Sequence, residues 1–427
     1  MRRDVNGVGV MTVVQETSVE AVEAVVPLRR NWRFQLLWGG SASAMLGTCV
    51  ADTAYPLLLL AMTGSPTVAG AFGAVQFGAS VVFGLHGGTV ADRYDRRRVL
   101  IAADTARLVA ALSVVLALLA HRFTVPHALV AAAVIGATMA YGGPARMLAL
   151  RAVVPPEQLR QALAQDELRV SGAALVGPPL AGFLLGLGRA VPFLSTVAAS
   201  TLSLGASLAV RFDGRPESGD EASGGGREKG AAFAGLRYLF ATPVLRATVL
   251  VALALNLAGT AMLLTVMVLL RQQGTSTTGV GLALAGEAVG GLLGALLVGR
   301  LHRLLPPGAL LLAVAWTGAL TFVVPALAHG PVVVFAALTV MCLGVPSLRV
   351  MLDVLVFQRV PDAMRGRAMA GTMTLLMAGI PLGTMAAGLL LELLAPGTVL
   401  LALAAALGAG LLPLTLGRSL RGTSWPK

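Results

Sequence analysis

Twelve long apolar runs dominate the sequence, and they decide what kind of fold it can adopt. Each is about 20 residues or longer, the length that an α-helix needs to cross a hydrocarbon layer of about 30 Å. Of the 427 residues, 56% are apolar and only 12% are charged, too few to cover a water-soluble surface. We therefore predict an all-α integral membrane protein with twelve transmembrane helices. The predicted spans cover residues 35–61, 67–91, 98–120, 125–148, 163–187, 190–211, 246–270, 277–299, 306–328, 331–357, 368–391 and 396–417.

The arginines lie mainly in the loops at one end of the predicted bundle. The opposite loops hold only Arg122, Arg189 and Arg271. Because cytoplasmic loops are enriched in Lys and Arg, this bias places both termini in the cytoplasm. Lys229 and Lys427 are the only lysines, a composition typical of a high-GC bacterial genome, so the expected location is a bacterial plasma (inner) membrane. The net charge of +12 then reflects topology, and no nucleic-acid partner is expected.

A polar central segment divides the spans into six and six. We predict a cytoplasmic tail at 1–34, a six-helix half at 35–211, a cytoplasmic linker with an interfacial helix at 212–245, a second six-helix half at 246–417 and a tail at 418–427. Gly177-Pro178-Pro179-Leu180 in span five matches Gly379-Ile380-Pro381-Leu382 in span eleven, which indicates that the halves are pseudo-repeats. Many secondary transporters have this construction, with substrate bound between the halves.

The loop between spans two and three carries the most specific motif. Its sequence resembles the signature loop of the major facilitator superfamily, Gly-x-x-x-Asp-Arg-x-Gly-Arg-Arg/Lys-Arg/Lys, except that Asp95 stands where glycine is commonest. An ordinary positively charged loop would explain the arginines but not the glycine and aspartate spacing. The resemblance implies a gating motif, to which we add two charged residues at the start of span three. The residues are Gly88, Asp92, Arg93, Arg96, Arg97, Arg98, Asp104 and Arg107.

Shorter matches extend the resemblance over nearly the whole chain, most closely to the macrolide-efflux and enterobactin-exporter branch. They include Leu28-Arg29-Arg30-Asn31 before span one and Arg359-Val360-Pro361-Asp362 after span ten. In span five, Gly177, Pro178 and Gly182 resemble an antiporter signature, and the alternative is a kink that serves packing only. Related antiporters often carry an arginine inside span four, whereas here no basic residue precedes Arg146 in that span.

Two acids lie within predicted spans and are candidates for proton coupling. Asp52 lies in span one, one turn before Pro56, and Glu287 lies in the middle of span eight. A charge at the centre of a membrane helix costs about 2.5–3.5 kcal/mol, so such residues are functional candidates. Each carboxyl group could bind and release a proton as its hydration changes. The alternative for each is a structural hydrogen bond in a helix interface.

Four further polar residues are candidates for substrate binding, and each has a structural alternative. Gln76 in span two and Asn256 in span seven could contact substrate or bond a neighbouring helix. Arg349 and Asp353 are one turn apart in span ten, and a local ion pair is the favoured interpretation. In span eight, the repeated glycines Gly286, Gly290 and Gly294 indicate close helix packing.

These features lead us to expect a secondary active exporter rather than an enzyme, working by alternating access and proton antiport. The resemblance implies an amphipathic small molecule as substrate, such as an antibiotic, siderophore or secondary metabolite. The expected partners are that molecule, protons and the lipid bilayer, with a monomeric chain, no cofactor and no metal. No Gly-x-x-x-x-Gly-Lys-Ser/Thr phosphate loop occurs in the sequence. Two alternatives stay open, an uncoupled facilitator or importer of the same fold and a non-transporting membrane receptor.

Overall fold

The chain folds into a bundle of long helices. The computed structural model describes residues 27–210 and 237–416, apart from the side chains of 85–93 and 362–363. In that part of the chain there is no β-strand, and twelve helices are long and apolar enough to cross a membrane, which confirms the predicted fold class. They are α1 (Trp32–Thr63), α2 (Pro66–Arg93), α3 (Arg96–Leu119), α4 (Val125–Val153), α5 (Leu159–Leu187), α6 (Val191–Ala209), α7 (Pro243–Gln272), α8 (Thr277–Leu304), α9 (Pro307–Leu327), α10 (Pro331–Arg359), α11 (Asp362–Leu393) and α12 (Pro396–Leu416).

Local sequence explains where several helices begin and end. The Asn31 side chain caps α1 by accepting a hydrogen bond from the Phe34 N–H at 3.1 Å, and Gly64 ends the helix with a φ of 68°. Asp95, which replaces the common glycine of the signature loop, caps α3 by accepting from the Arg97 N–H at 2.8 Å. This aspartate therefore compensates for the missing glycine by starting the next helix.

The tenth span is interrupted, although the sequence predicts one continuous run. It consists of two helices, Pro331–Leu343 and Val345–Arg359, which meet at Gly344. Pro346 lies in the first turn of the second piece, where backbone N–H groups make no bond within the helix, so the N–H that proline lacks is not needed. A short helical segment at 237–241 precedes α7, and the Tyr238 hydroxyl donates to the carbonyl of Arg359 at 2.8 Å. The rest of the predicted linker, 212–236, lies outside the described residues, as do most of both tails.

Helices α1–α6 and helices α7–α12 form two halves, each with its own core. In the first half, the ring of Tyr55 stacks on Phe72 at 4.3 Å between centroids and tilts against Phe193 at 4.6 Å. In the second, Met262 and Phe322 are almost fully buried in the largest apolar cluster of the described chain. A further apolar cluster joins the halves, where Ala69 of α2 packs with Ala261 of α7 and Ala387 of α11.

Two helix pairs join the halves, α2 with α11 and α5 with α8. Both contacts lie near the end of the bundle that holds Arg122, Arg189 and Arg271 in its loops, which we call the arginine-poor end. A Cβ atom added at Gly70 of α2 would lie 2.6 Å from the Thr384 carbonyl oxygen of α11. At Gly281 of α8 it would lie 2.2 Å from the Pro178 carbonyl oxygen of α5. Small residues therefore let the two halves close tightly at this end.

Equivalent hydrogen bonds cross the two contacts, as expected for pseudo-repeated halves. Thr67 of α2 donates to the Gly388 carbonyl at 3.1 Å, and Thr278 of α8 donates to the Gly182 carbonyl at 3.5 Å. The first contact has an additional bond, from the Ser65 hydroxyl to the Glu392 carboxylate. The arginine-poor end is thus closed in this structure.

The glycines repeated in α8 pack this helix against α10, which confirms the packing interpretation. Cβ atoms added at Gly286, Gly290 and Gly294 would each lie 2.3 Å from a backbone carbonyl oxygen of α10. A Cβ added at the adjacent Gly291 would meet nothing within 4 Å. The backbone of α8 can approach α10 closely only because the stripe has no side chains.

We expect Gly290→Ala to destabilise the protein by about 1–3 kcal/mol, because its methyl group would force the two backbones apart. Gly291→Ala is the matched control, since it makes the same change in helix propensity without a collision. The measurement is the thermal unfolding midpoint of both variants in one detergent. Equal midpoints would show that the α8–α10 contact does not depend on the missing side chain.

Candidate functional site

Asp52 meets Gln76 inside the first half, between α1 and α2. The Gln76 side-chain amide donates to the Asp52 carboxylate at 2.8 Å, and Gln76 is almost completely buried. Of the two roles considered for Gln76, the structure supports the bond to a neighbouring helix. Asp52 as a whole residue is only partly buried.

Arg107 brings a positive charge close to Asp52, and it comes from α3 rather than from span four. The two side chains interact electrostatically. The Arg107 guanidinium donates to the Thr138 hydroxyl at 3.4 Å, while its buried Nε has no hydrogen-bond partner among the described residues. Arg107 therefore places a basic group near Asp52 from α3, whereas α4 has no arginine or lysine before Arg146.

Asp104 forms the most deeply buried polar cluster of the first half. Its carboxylate lies 2.8 Å from the Arg146 guanidinium and accepts hydrogen bonds from the hydroxyls of Ser203 at 3.0 Å and Ser207 at 2.9 Å. The side chain of Asp104 is only 1% exposed. Because every lone pair of a buried carboxylate must be satisfied, this cluster ties α3, α4 and α6 together.

A cavity of about 230 Å³ opens beside these residues, toward the arginine-rich end of the first half. Trp38, Met45 and Met139 contribute apolar surface to its wall, and Arg107 and Arg146 contribute charge. Apolar walls with a few placed polar groups are typical of ligand sites.

A second ion pair lines the same cavity. Asp166 and Arg169 lie one turn apart on α5, with their charged atoms 2.7 Å apart, and Arg169 also donates to the Ser41 carbonyl at 3.0 Å. Of the three cavity arginines, Arg146 and Arg169 form ion pairs with carboxylates, whereas Arg107 forms none among the described side chains and interacts at longer range with both Asp104 and Asp52.

Glu287 lies on α8 in the other half, and its side chain is exposed. It interacts electrostatically with Cys49 of α1 and with Cys342 of α10, so it faces the region between the halves. Cys49 also interacts with Asp52, one turn further along α1. The two candidate proton-coupling acids therefore border one central region, each from its own half.

The remaining substrate-binding candidates are less well defined. Asn256 is partly buried, and within the described chain its side chain makes no hydrogen bond. Arg349 and Asp353 do not form the predicted ion pair: among described side chains the pairs are Arg98–Asp95, Arg146–Asp104 and Arg169–Asp166. The one-turn spacing places two side chains on one face, but an exposed arginine such as Arg349 gains little from pairing in water.

The antiporter-like motif of α5 lies where the two halves meet. A Cβ at Gly177 would lie 2.4 Å from Cβ of Cys49 in α1, and one at Gly182 would lie 2.2 Å from the Thr277 carbonyl oxygen of α8. The Pro178 carbonyl oxygen lies against Gly281 of α8. In this structure the motif serves close packing, both within the first half and between the halves.

The gating motif is described only in part. The side chains of Gly88, Asp92 and Arg93 lie outside the described residues. Arg97 donates to the carbonyls of Leu208 at 2.8 Å and Val210 at 3.1 Å, which anchors the loop to the end of α6.

The other members of the motif have separate surroundings. Arg98 is exposed and lies 3.8 Å from Asp95, and the buried Nε of Arg96 has no hydrogen bond to any residue that the structure describes. Asp104 and Arg107, which we grouped with this loop, have the partners described for the buried cluster and the cavity wall instead. They lie two turns or more along α3 from the loop, far enough to face the interior.

Sequence reasoning did not identify Ser203, Ser207 and Arg169 as site residues. A signal for the serines was present, since Ser200, Ser203 and Ser207 repeat at helical spacing along one face of an otherwise apolar span. Such a polar stripe in a membrane helix indicates a buried partner, but it does not say which helix supplies it.

The chain is similar to known proteins both in sequence and in structure. The family model described as Major Facilitator Superfamily matches residues 37–384. Macrolide efflux protein A of Streptococcus pyogenes is 28% identical over 158 residues. That alignment covers 36% of this chain and 38% of the relative, so the chain matches well under two thirds of the relative's length.

Several solved structures share the fold. Nucleoside transporter NupG superposes with a TM-score of 0.72 at 13% identity, over 92% of this chain and 100% of the other. A bacterial homologue of the human lysosomal transporter Spinster, in an inward-facing and unoccupied conformation, gives 0.66 at 16% identity, over 91% and 94%. A POT family transporter in complex with 5-aminolevulinic acid gives 0.67 at 11% identity, over 91% and 96%. At these identities the structures establish the fold alone.

Proposed function

Because the chain belongs to the major facilitator superfamily, we propose that it exports an amphipathic small molecule by alternating access, driven by proton antiport. The observation that carries this proposal is the placement of Asp52. It is a carboxyl group in a membrane span, held by Gln76, near Arg107 and near a cavity with an apolar wall. A group so placed can exchange a proton whose binding changes the charge of the site.

The orientation follows from the loop charges. With the arginine-rich end in the cytoplasm, the closed arginine-poor end faces outward, and the conformation described here is inward-facing. The cavity beside Trp38 and Arg107 then takes up substrate from the cytoplasm. Asp92, Arg93 and the following arginines would stabilise the opposite, outward-facing state at the inner end, a role that stays a prediction.

The direction of transport is supported by the likeness to a macrolide efflux protein. Structures of the same fold include a nucleoside transporter and POT family transporters, so the fold by itself favours no substrate. We propose a bacterial plasma membrane location, a monomeric chain and a substrate of the antibiotic, siderophore or secondary-metabolite kind.

Transport into inverted membrane vesicles tests this proposal. Vesicles that contain the full chain should accumulate radiolabelled macrolides or other amphipathic compounds when respiration acidifies their interior. A protonophore should abolish the accumulation. Accumulation that persists with the protonophore would identify a facilitator, and uptake by intact cells would identify an importer. If none of the compounds moves in either system, the transport proposal fails in favour of a receptor.

A further inference from the structure

The side chain of Glu287 is exposed, and it lies on the face of α8 that points away from the lipid-facing surface of the bundle. Leu282 is 53% exposed and Leu296 is 78% exposed, as expected for lipid-facing residues. At 3.6 residues per turn, Glu287 lies about 140–180° around the helix from both. The exposed side chain of Glu287 therefore lies on the interior side of the bundle, where Glu287 interacts with Cys49 and Cys342.

Open space adjoins this carboxyl group. Gly291 follows Glu287 by one turn on the same face, and a Cβ added there would meet nothing within 4 Å. By contrast, Gly286 and Gly290 on the neighbouring face are pressed against α10. A group larger than a proton can thus approach Glu287 from the region between the halves.

Glu287 also lacks an internal partner, unlike the acids of the first half. Asp52 is bonded to Gln76, and Asp104 is paired with Arg146 and two serines. Within the described chain, the Glu287 carboxyl accepts no hydrogen bond and forms no ion pair. An ionised carboxylate in a membrane span is costly without a compensating charge. Its charge is therefore removed either by a proton or by a cation that enters from outside the chain.

We infer that Glu287 binds a positively charged amino or quaternary ammonium group of the transported molecule. This inference rests on the proposed function and specifies its substrate class as amphipathic organic cations. Apolar surface for the body of such a molecule is available in the opposite half, where the thioether side chains of Met45 and Met139 line the cavity wall.

In the same arrangement, proton binding at Asp52 and cation binding at Glu287 oppose each other, as antiport requires. Asp52 and Glu287 border one central region, since both interact with Cys49. A proton on Asp52 removes a negative charge from this region and leaves Asp104 as the remaining acid near Arg107. A cation on Glu287 is then less favourable, so proton and substrate disfavour each other.

Binding of two ions of equal shape and opposite charge tests the inference. The full chain in lipid nanodiscs should bind tetraphenylphosphonium in equilibrium dialysis, and tetraphenylborate at least tenfold more weakly after subtraction of binding to empty nanodiscs. Glu287→Gln should reduce the affinity for tetraphenylphosphonium at least tenfold. Glu167→Gln, the same change at an exposed position of α5, should leave it unchanged. Asp52→Asn, which imitates the protonated acid, should weaken cation binding several-fold.

Unchanged cation affinity in Glu287→Gln, tighter binding of the anion, or no specific binding of either ion would overturn the assignment. Unchanged affinity in Asp52→Asn would overturn the coupling. A size-exclusion profile and unfolding midpoint equal to those of the native protein establish that each variant is folded. The assay requires no gradient and no transport, so its failure is distinct from a failure of proton-driven export.

Discussion

Asp52→Asn should abolish accumulation of substrate against its gradient, while exchange of substrate at equal concentrations continues. The asparagine side chain keeps an oxygen that can accept the 2.8 Å hydrogen bond from Gln76, so the packing of α1 and α2 is retained. It cannot bind and release a proton in the physiological range. The variant should therefore fold normally but lose the coupling of substrate transport to protons. If Asp52 had a structural role instead, the variant would show lower expression or stability.

Proteoliposomes provide the measurement. Addition of substrate to liposomes that contain the native protein should move protons, recorded with an enclosed pH-sensitive dye, and Asp52→Asn should move none. Glu167→Gln is the control for removing an acid elsewhere in the bundle. Full proton movement and uphill transport by Asp52→Asn would transfer the proton-coupling role to Glu287.

Asp104→Asn should destabilise the folded protein by roughly 3–5 kcal/mol, the cost of breaking a buried ion pair by removing one partner. The Arg146 guanidinium would remain in the interior without its counter-charge, and the hydroxyls of Ser203 and Ser207 would lose a charged acceptor. Because this cluster joins three helices, the loss should unfold the first half cooperatively and not merely loosen one contact.

Asp95→Asn is the matched comparison, since Asp95 pairs with the exposed Arg98 at 3.8 Å. An exposed pair contributes about 0–1 kcal/mol, and asparagine also caps helices well, so this variant should unfold near the native midpoint. The measurement is the unfolding midpoint in detergent for both variants. A midpoint for Asp104→Asn within error of that for Asp95→Asn would refute a structural role for the buried cluster.

The candidate site could be predicted only in part from the sequence. Asp52 and Glu287 stand out as acids within apolar runs, because the membrane makes every such residue expensive. Gln76 was identified too, although its partner was not. Arg107 was noticed but grouped with the signature loop, since it follows that loop along the chain. Its proximity to Asp52 depends on how α3 is rotated and tilted against α1, which no local pattern reports.

The predicted pair of Arg349 and Asp353 illustrates the same limit at shorter range. Helical spacing establishes that two residues share a face, but rotamers and hydration decide whether their charged groups meet. The glycine stripe of α8 was predicted correctly because close packing is the main use of small residues at that spacing. Even there, the partner helix α10 was evident only from the structure.

By itself, the sequence determined the number of spans and the all-helical architecture. Each backbone polar group in a membrane must be bonded within its own helix, so apolar length alone specifies a span. Only the tertiary structure decided that Arg107 approaches Asp52, that Asp104 joins three helices, and that the arginine-poor end is closed. These features arise from contacts between helices distant in sequence.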